Sequence, residues 1–251
     1  MDLGIDGRRA AVAAASGGLG LASARALATA GVRLAICGRD ADRLDNAVGA
    51  LRSDGADVVG LQVDVSTTDG ATAFISRATD ALGGLDIVVP NAGGPPIGGF
   101  DAMDLDAYRA AIDLNLLSTV AMCQAAVPAM RAQGWGRVVA ITSISVRQPI
   151  DGLILSNTAR AGVTGFLKTL ALEVARDGVT VNSVQPGSHS TDRLRERYGG
   201  DLSEAAARVP MKVLGRPEDF GAVVAFLCSD QARFITGAGI PVDGGSHRGL
   251  Q

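Results

Sequence analysis

This sequence predicts a doubly wound α/β fold, a parallel sheet of about seven strands with helices on both faces. Two observations carry the prediction and a third bounds it. Short apolar runs recur from the first residues almost to the last, and longer segments between them return apolar residues at helical spacing. No Pro- or Ser-rich linker, low-complexity tract or other repeat interrupts the beat. Continuous apolar strands separated by helices specify a parallel sheet covered on both faces, wound by right-handed crossovers. All of 1–251 is therefore expected to form one domain, long enough for a full core.

The strand-like runs are 9–14, 32–37, 58–63, 86–89, 137–142, 179–184 and 239–242. Helical patterns occupy 19–30, 71–82, 105–131 and 157–176. The first run feeds the turn Ala14-Ala15-Ser16-Gly17-Gly18-Leu19-Gly20, which opens the first helix. A helix N-terminus offers unpaired N–H groups and the positive end of its dipole, which suit a pyrophosphate. Glycines there let the backbone approach the phosphates and let the helix pack on the strand. Placed after the first strand of a βα series, the turn points to a Rossmann-type dinucleotide site.

The second run ends in Gly38-Arg39-Asp40, about twenty residues on, where the adenosine ribose should lie. An acidic residue at the strand end would select NAD(H). Gly38 stands there instead, followed by Arg39, whose guanidinium can grip a 2′-phosphate, so NADP(H) is favoured over NAD(H). Asp40 comes one residue late for the ribose role and suits a helix N-cap.

These residues resemble the Gly-x-x-x-Gly-x-Gly fingerprint of the short-chain dehydrogenase/reductase family. Gly18 and Gly20 match it, while Ala14 replaces the first glycine. The likeness continues in order through nearly the whole chain. Asp64-Val65 resembles the pair lining the adenine, and Asn91-Ala92-Gly93 the motif flooring the cofactor site. Pro186-Gly187-Ser188-His189-Ser190-Thr191 is similar to the loop whose threonine holds the nicotinamide amide. Gly215-Arg216-Pro217-Glu218-Asp219, Ile235-Thr236-Gly237 and Val242-Asp243-Gly244-Gly245 match the family's ending.

The family's chemistry uses a serine, a tyrosine, a lysine four residues later and a helical asparagine. By resemblance Ser143 and Asn115 match the first and last, but the spacing lands on Ser156 and Arg160 for the tyrosine and lysine. No tyrosine lies between Tyr108 and Tyr198 to rescue the motif, and Lys168 is two helical turns past Arg160. A serine hydroxyl is a far weaker acid than a phenol of pKa about 10. Arginine stays protonated and suits binding a ribose or a carboxylate better than passing a proton. His189, in the loop over the nicotinamide, and Tyr198, in a lid at about 191–210, are the replacement donors that position suggests.

The Ala-x-x-x-Gly-Leu-Gly turn with Ser-Asn-x-x-Arg resembles an atypical branch of the family, of the 3-oxoacyl-[acyl-carrier-protein] reductase type. The resemblance implies an NADP(H)-linked oxidoreductase interconverting a carbonyl and an alcohol through a non-standard proton donor. Two alternatives stay open: a non-redox lyase, dehydratase or isomerase in the same pocket, and a catalytically silent cofactor-binding subunit. The segment 94–100 is apolar and turn-rich, which suits an uncharged carbon skeleton. Arg147, Arg160, Arg193 and Arg195 are candidates for recognising an anionic group on a small-molecule substrate. Family analogy further implies a homotetramer.

Composition narrows the partners. With 47% hydrophobic and 20% charged residues the balance is that of a soluble globular chain. A net charge of -3 argues against a nucleic-acid footprint. No signal-peptide pattern is read in 1–9 and no apolar run of bilayer length is expected, so no membrane is expected. Cys37, Cys123 and Cys228 are dispersed in apolar stretches, as buried free thiols of a cytoplasmic protein would be, and His189 and His247 have no metal-site spacing.

Overall fold

Seven parallel strands hydrogen-bond in the order β3-β2-β1-β4-β5-β6-β7. In the computed structural model, which describes residues 2–250, they are β1 (Arg9–Val12), β2 (Arg33–Gly38), β3 (Val58–Gln62), β4 (Ile87–Val89), β5 (Gly136–Ile141), β6 (Val179–Pro186) and β7 (Gly239–Val242). The helices are α1 (Gly18–Thr29), α2 (Ala41–Ser53), α3 (Thr68–Leu82), α4 (Leu105–Ala111), α5 (Ser118–Gln133), α6 (Ile154–Val174), α7 (Asp192–Arg197), α8 (Ser203–Arg208) and α9 (Pro217–Cys228). β1 pairs with β2 on one side and β4 on the other, Ala11 lying opposite both Ala35 and Val88. Strand order reverses between β1 and β4, so the crevice above their carboxyl ends is where an open α/β sheet binds ligands.

Alternation along β1 divides the interior. Ala11 and Ala13 face a core built on Phe74, Met122, Met130 and Leu167, under α3, α5 and α6. Ala10 and Val12 face the other core, with Leu27, Leu34, Ile36 and Phe220, under α1, α2 and α9. Such small side chains on the central strand let the helices of both layers lie close to the sheet.

Two expectations change. The helical pattern at 105–131 is not one regular helix: residues Ile112–Leu117 form a π-helical turn between α4 and α5. Within it Asn115 Nδ2 donates to Gly93 O at 2.9 Å, while Ser118 and Thr119 hydroxyls donate to the carbonyls of Leu114 and Asn115. These side chains compete for groups that an ordinary helical turn would use internally. Contrary to the expectation of no apolar run of bilayer length, the run Leu105–Gln133 is by length and composition apolar enough to cross a membrane. Half of its most apolar stretch is buried inside the protein, where it packs under the sheet.

Candidate active site

The turn after β1 is built by backbone bonds to its neighbours. Ala13 N donates to Val89 O at 3.1 Å and Ala15 N to Cys37 O at 2.8 Å. Asn91 Nδ2 reaches the carbonyls of both Ala13 and Ala14 at 3.2 Å. The chain reverses with Ala14 at φ 46° and Gly18 at φ 56°. Glycine holds that left-handed conformation freely, whereas alanine is strained in it. Gly20 is required by contact, since a Cβ there would come within 2.6 Å of Ala14 O. No side chain caps α1, leaving its first N–H groups open to the crevice. By contrast, Asp40, Thr67, Asp104 and Thr191 cap α2, α3, α4 and α7.

A cleft of ≈ 640 Å³ runs from this turn along the carboxyl ends of the strands. At the end beside β2 and α2 lie Ser16, Gly17, Gly38, Arg39, Arg43, Asp64 and Val65. A Cβ on Gly38 would stand 2.9 Å from Ser16 Oγ, so glycine makes room there. Arg39 extends into solvent with its Nε 4.0 Å from Asp64 Oδ1. Asp40 accepts from Arg43 N at 2.9 Å, the capping role expected of it. Composition alone did not single out Arg43, whose Nη2 would lie 3.1 Å from a Cβ on Gly17. Its signal was its place in the first turn of α2, three residues past the cap.

At the inner end Ser143, Ser156 and Arg160 meet Ala92, Gly93, Pro186 and Gly187. Ser143 Oγ accepts from Ser145 N at 3.1 Å, which leaves its own proton free to donate. Ser156 and Arg160 sit one turn apart on α6 and so share a face. Arg160 Nη1 donates to Ile141 O at 3.1 Å. Burial, then the neighbouring charge of Arg193, pushes the Arg160 guanidinium down to about 10, still cationic at neutral pH. The following loop is fixed by Asn157, which donates to Ile150 O at 3.0 Å, and by Gly98 N on Gly152 O at 2.7 Å.

Of the four residues matched to the family's serine, tyrosine, lysine and asparagine, Asn115 is the one that does not line the cleft. It is buried behind the Asn91-Ala92-Gly93 loop, and its Oδ1 has no protein partner. His189 borders the cleft, but its ring is buried edge-on against Phe220 at 5.4 Å. Its Nδ1 lies 3.2 Å from Gly187 O, which can only accept, so that nitrogen carries the proton. Burial lowers the ring's pKa despite that bond. The imidazole is thus neutral with a bare lone pair on Nε2, the form of an acceptor rather than an acid. Arg147 is tied to Gln185 Oε1 and Gly239 O, both at 2.7 Å, away from the cleft, and Lys168 donates to Gly237 O in the same outer region. Tyr198 and Arg195 also lie outside the lining, whereas Arg193, Leu194 and Arg197 of α7 enter it.

The donor set suits a nicotinamide dinucleotide. The uncapped start of α1 opens on the cleft, Arg39 and Arg43 line it together with Ser16, and a Cβ on Gly93 would meet nothing within 4 Å. Residues 13–247 match the family described as Enoyl-(Acyl carrier protein) reductase. The chain is similar to Dehydrogenase/reductase SDR family member 4 of Oryctolagus cuniculus, 34% identical over 94% of this chain and 92% of that protein. Acetoacetyl-CoA reductase of Cupriavidus necator is 33% identical over 96% and 99% of the two chains. L-sorbose reductase from Gluconobacter frateurii, solved with NADPH and L-sorbose, superposes with a TM-score of 0.93 at 32% identity, covering 100% of both chains.

Proposed function

The chain belongs to the short-chain dehydrogenase/reductase family, and from that membership we propose that it is an NADP(H)-linked oxidoreductase interconverting a carbonyl and an alcohol without the family's tyrosine. The observation that carries this reading is the single cleft joining the uncapped α1 terminus and Arg39 to Ser143, Ser156 and Arg160. Gly17, Gly18, Leu19 and Gly20 would receive the pyrophosphate, with Ala14 shaping the turn, and Arg39 with Ser16 and Arg43 the 2′-phosphate. Asp64 and Val65 would flank the adenine; Asn91, Ala92 and Gly93 would floor the site, and Pro186, Gly187 and Thr191 would hold the nicotinamide. The NADPH of the L-sorbose reductase structure supports the choice of nucleotide.

When bound, the nicotinamide supplies or accepts a hydride. The chain's own part is to hold the substrate oxygen and to steady its charge. Ser143 and Ser156 hydroxyls donate to that oxygen, and the fixed cation of Arg160 stabilises the negative charge that develops on it. Water entering the cleft then supplies the proton, because neither serine nor arginine releases one near neutral pH. Neutral His189, whose Nε2 is buried beside Gly215, would not serve as the acid. Asn115 positions the Gly93 carbonyl from behind.

Two further features belong to this reading. The lid is α7 and α8, where Thr191 approaches Gly18 and Arg193 lies across Gly94. The exposed Leu172 and Phe234 support a homotetramer, and a monomeric mass in solution would defeat that assembly. The primary test is titration with NADPH and NADH followed by cofactor fluorescence, then a carbonyl panel read by NADPH absorbance. Tighter NADPH binding and turnover of a panel member are expected. Binding of neither nucleotide would overturn the reductase reading.

A further inference from the structure

Charge is divided unevenly along the cleft. Its lining contains three carboxylates, Asp40, Asp64 and Asp192, and each has local partners at the adenosine end. Asp40 caps α2, Asp64 accepts from Ser66 N and lies near Arg39, and Asp192 is 3.9 Å from Arg43 Nη2. The inner end holds Arg160 and Arg193 with no carboxylate within 4.0 Å of either guanidinium among the described residues. Arg160 spends one donor, on Ile141 O. Arg193 spends two, on Gly94 O at 3.2 Å and Pro95 O at 3.3 Å. A guanidinium has five donors, so most of both forks remain free.

Burial lowers the Arg160 pKa and the charge of Arg193 lowers it further, while Arg193 is itself lowered by burial, with Glu196 pulling it up and Arg197 pushing it down. Like charges brought together without a counter-ion cost free energy that an anion between them recovers. Beside the pair the wall is apolar, with Ile97, Leu114, Ile150 and Leu153.

We infer that Arg160 and Arg193 form a carboxylate clamp, so that the substrate is an oxo acid with its free carboxylate a few bonds from the reacting carbonyl. This deepens the reductase reading and rests on it for the reaction, though not for the binding. The spacing follows from Ser156 and Arg160 being one helical turn apart: an oxygen at the serines and a carboxylate at the arginines belong to one short molecule. Apolar lining suits a hydrocarbon remainder, and an ester or thioester would leave the clamp's charge unmatched.

The test uses 2-oxo-4-phenylbutanoate and its methyl ester as probes on the protein saturated with NADPH. Binding is followed by calorimetry and turnover by NADPH absorbance. The acid is expected to bind roughly tenfold or more tighter than the ester, the worth of a charge-assisted bidentate contact. Arg193→Met should erase that preference while leaving NADPH affinity within about twofold, and Arg193→Lys should keep part of it. Equal binding of acid and ester, or a preference that survives Arg193→Met, would overturn the clamp. So would an equal loss of NADPH and acid affinity in Arg193→Met, since Arg193 would then be a lid latch only. Selective acid binding without NADPH oxidation would support the clamp and count against the reductase reading, which separates the two failures.

Discussion

The two ends of the sheet treat their arginines in opposite ways. At the amino ends of β1, β4 and β5, Arg9 meets the Asp86 carboxylate through Nε at 2.7 Å and Nη2 at 3.0 Å, with Arg8 3.6 Å from it. Arg8 and Arg137 sandwich the Trp135 ring at 3.9 and 4.1 Å, and Arg137 lies 3.5 Å from Asp230. Burial alone would raise the Asp86 carboxyl, but hydrogen bonds from Arg9 and the charges of Arg9 and Arg8 hold it below the usual range. At the carboxyl ends the partners of Arg160 and Arg193 among the described residues are backbone carbonyls. A cation matched inside the protein serves folding; one left with free donors in a cleft is available to a ligand.

The sharpest way to break this contrast is Asp86→Ala. It strips a buried carboxylate from Arg9, whose own side chain is a quarter exposed, and losing such charge-assisted hydrogen bonds costs about 1.5–3 kcal/mol, read as a lowered urea midpoint. Cofactor binding to the fraction still folded should be unchanged. Arg39→Ala acts at the other end: NADPH affinity should fall roughly tenfold with NADH nearly unaffected and the urea midpoint within error. Equal losses for both nucleotides would remove Arg39 from the 2′-phosphate.

Protonation offers a gentler probe of the amino end. Because the Asp86 pKa is depressed on folding, its contribution is fully present above the unfolded value near 3.9 and is lost as pH falls through the folded value. The wild type should therefore lose stability more steeply below about pH 4 than Asp86→Asn, measured by denaturant titration at each pH. A parallel acid limb would refute the linkage. The smallest effect concerns the strained turn. Ala14→Gly relaxes φ 46° but loosens the unfolded chain, for a net gain of at most about 1 kcal/mol. A fall in melting temperature would show that the alanine methyl is packed to advantage.

Much of the fold was legible because its signals are local. The runs at 32–37 and 58–63 became β2 and β3 within a residue or so, and the βα beat admitted few topologies. The turn at Ala14–Gly20 announced itself through glycines whose need is a property of the chain itself. Less legible was the break in the long helix, since the π turn holds Asn115, whose partner Gly93 O lies 22 residues away. The roles suggested for Arg147 and His189 rested on loop position, and loops take their geometry from what they pack against. Arg147 was drawn outward by Gln185 and Gly239, and His189 was buried on Phe220.

By itself the sequence determined the strand and helix rhythm, the glycine turn after the first strand, and the absence of any tyrosine between Tyr108 and Tyr198. All of these are read from residue type and spacing along the chain. Only the tertiary structure decided which charges are spent and which are free. Arg9, Arg137, Arg160 and Arg193 are the same side chain in a string, and what separates them is the partner that folding brings within hydrogen-bond reach. Asp86 was brought to Arg9, and Asp230 to Arg137. Among the described residues no carboxylate was brought to Arg160 or Arg193.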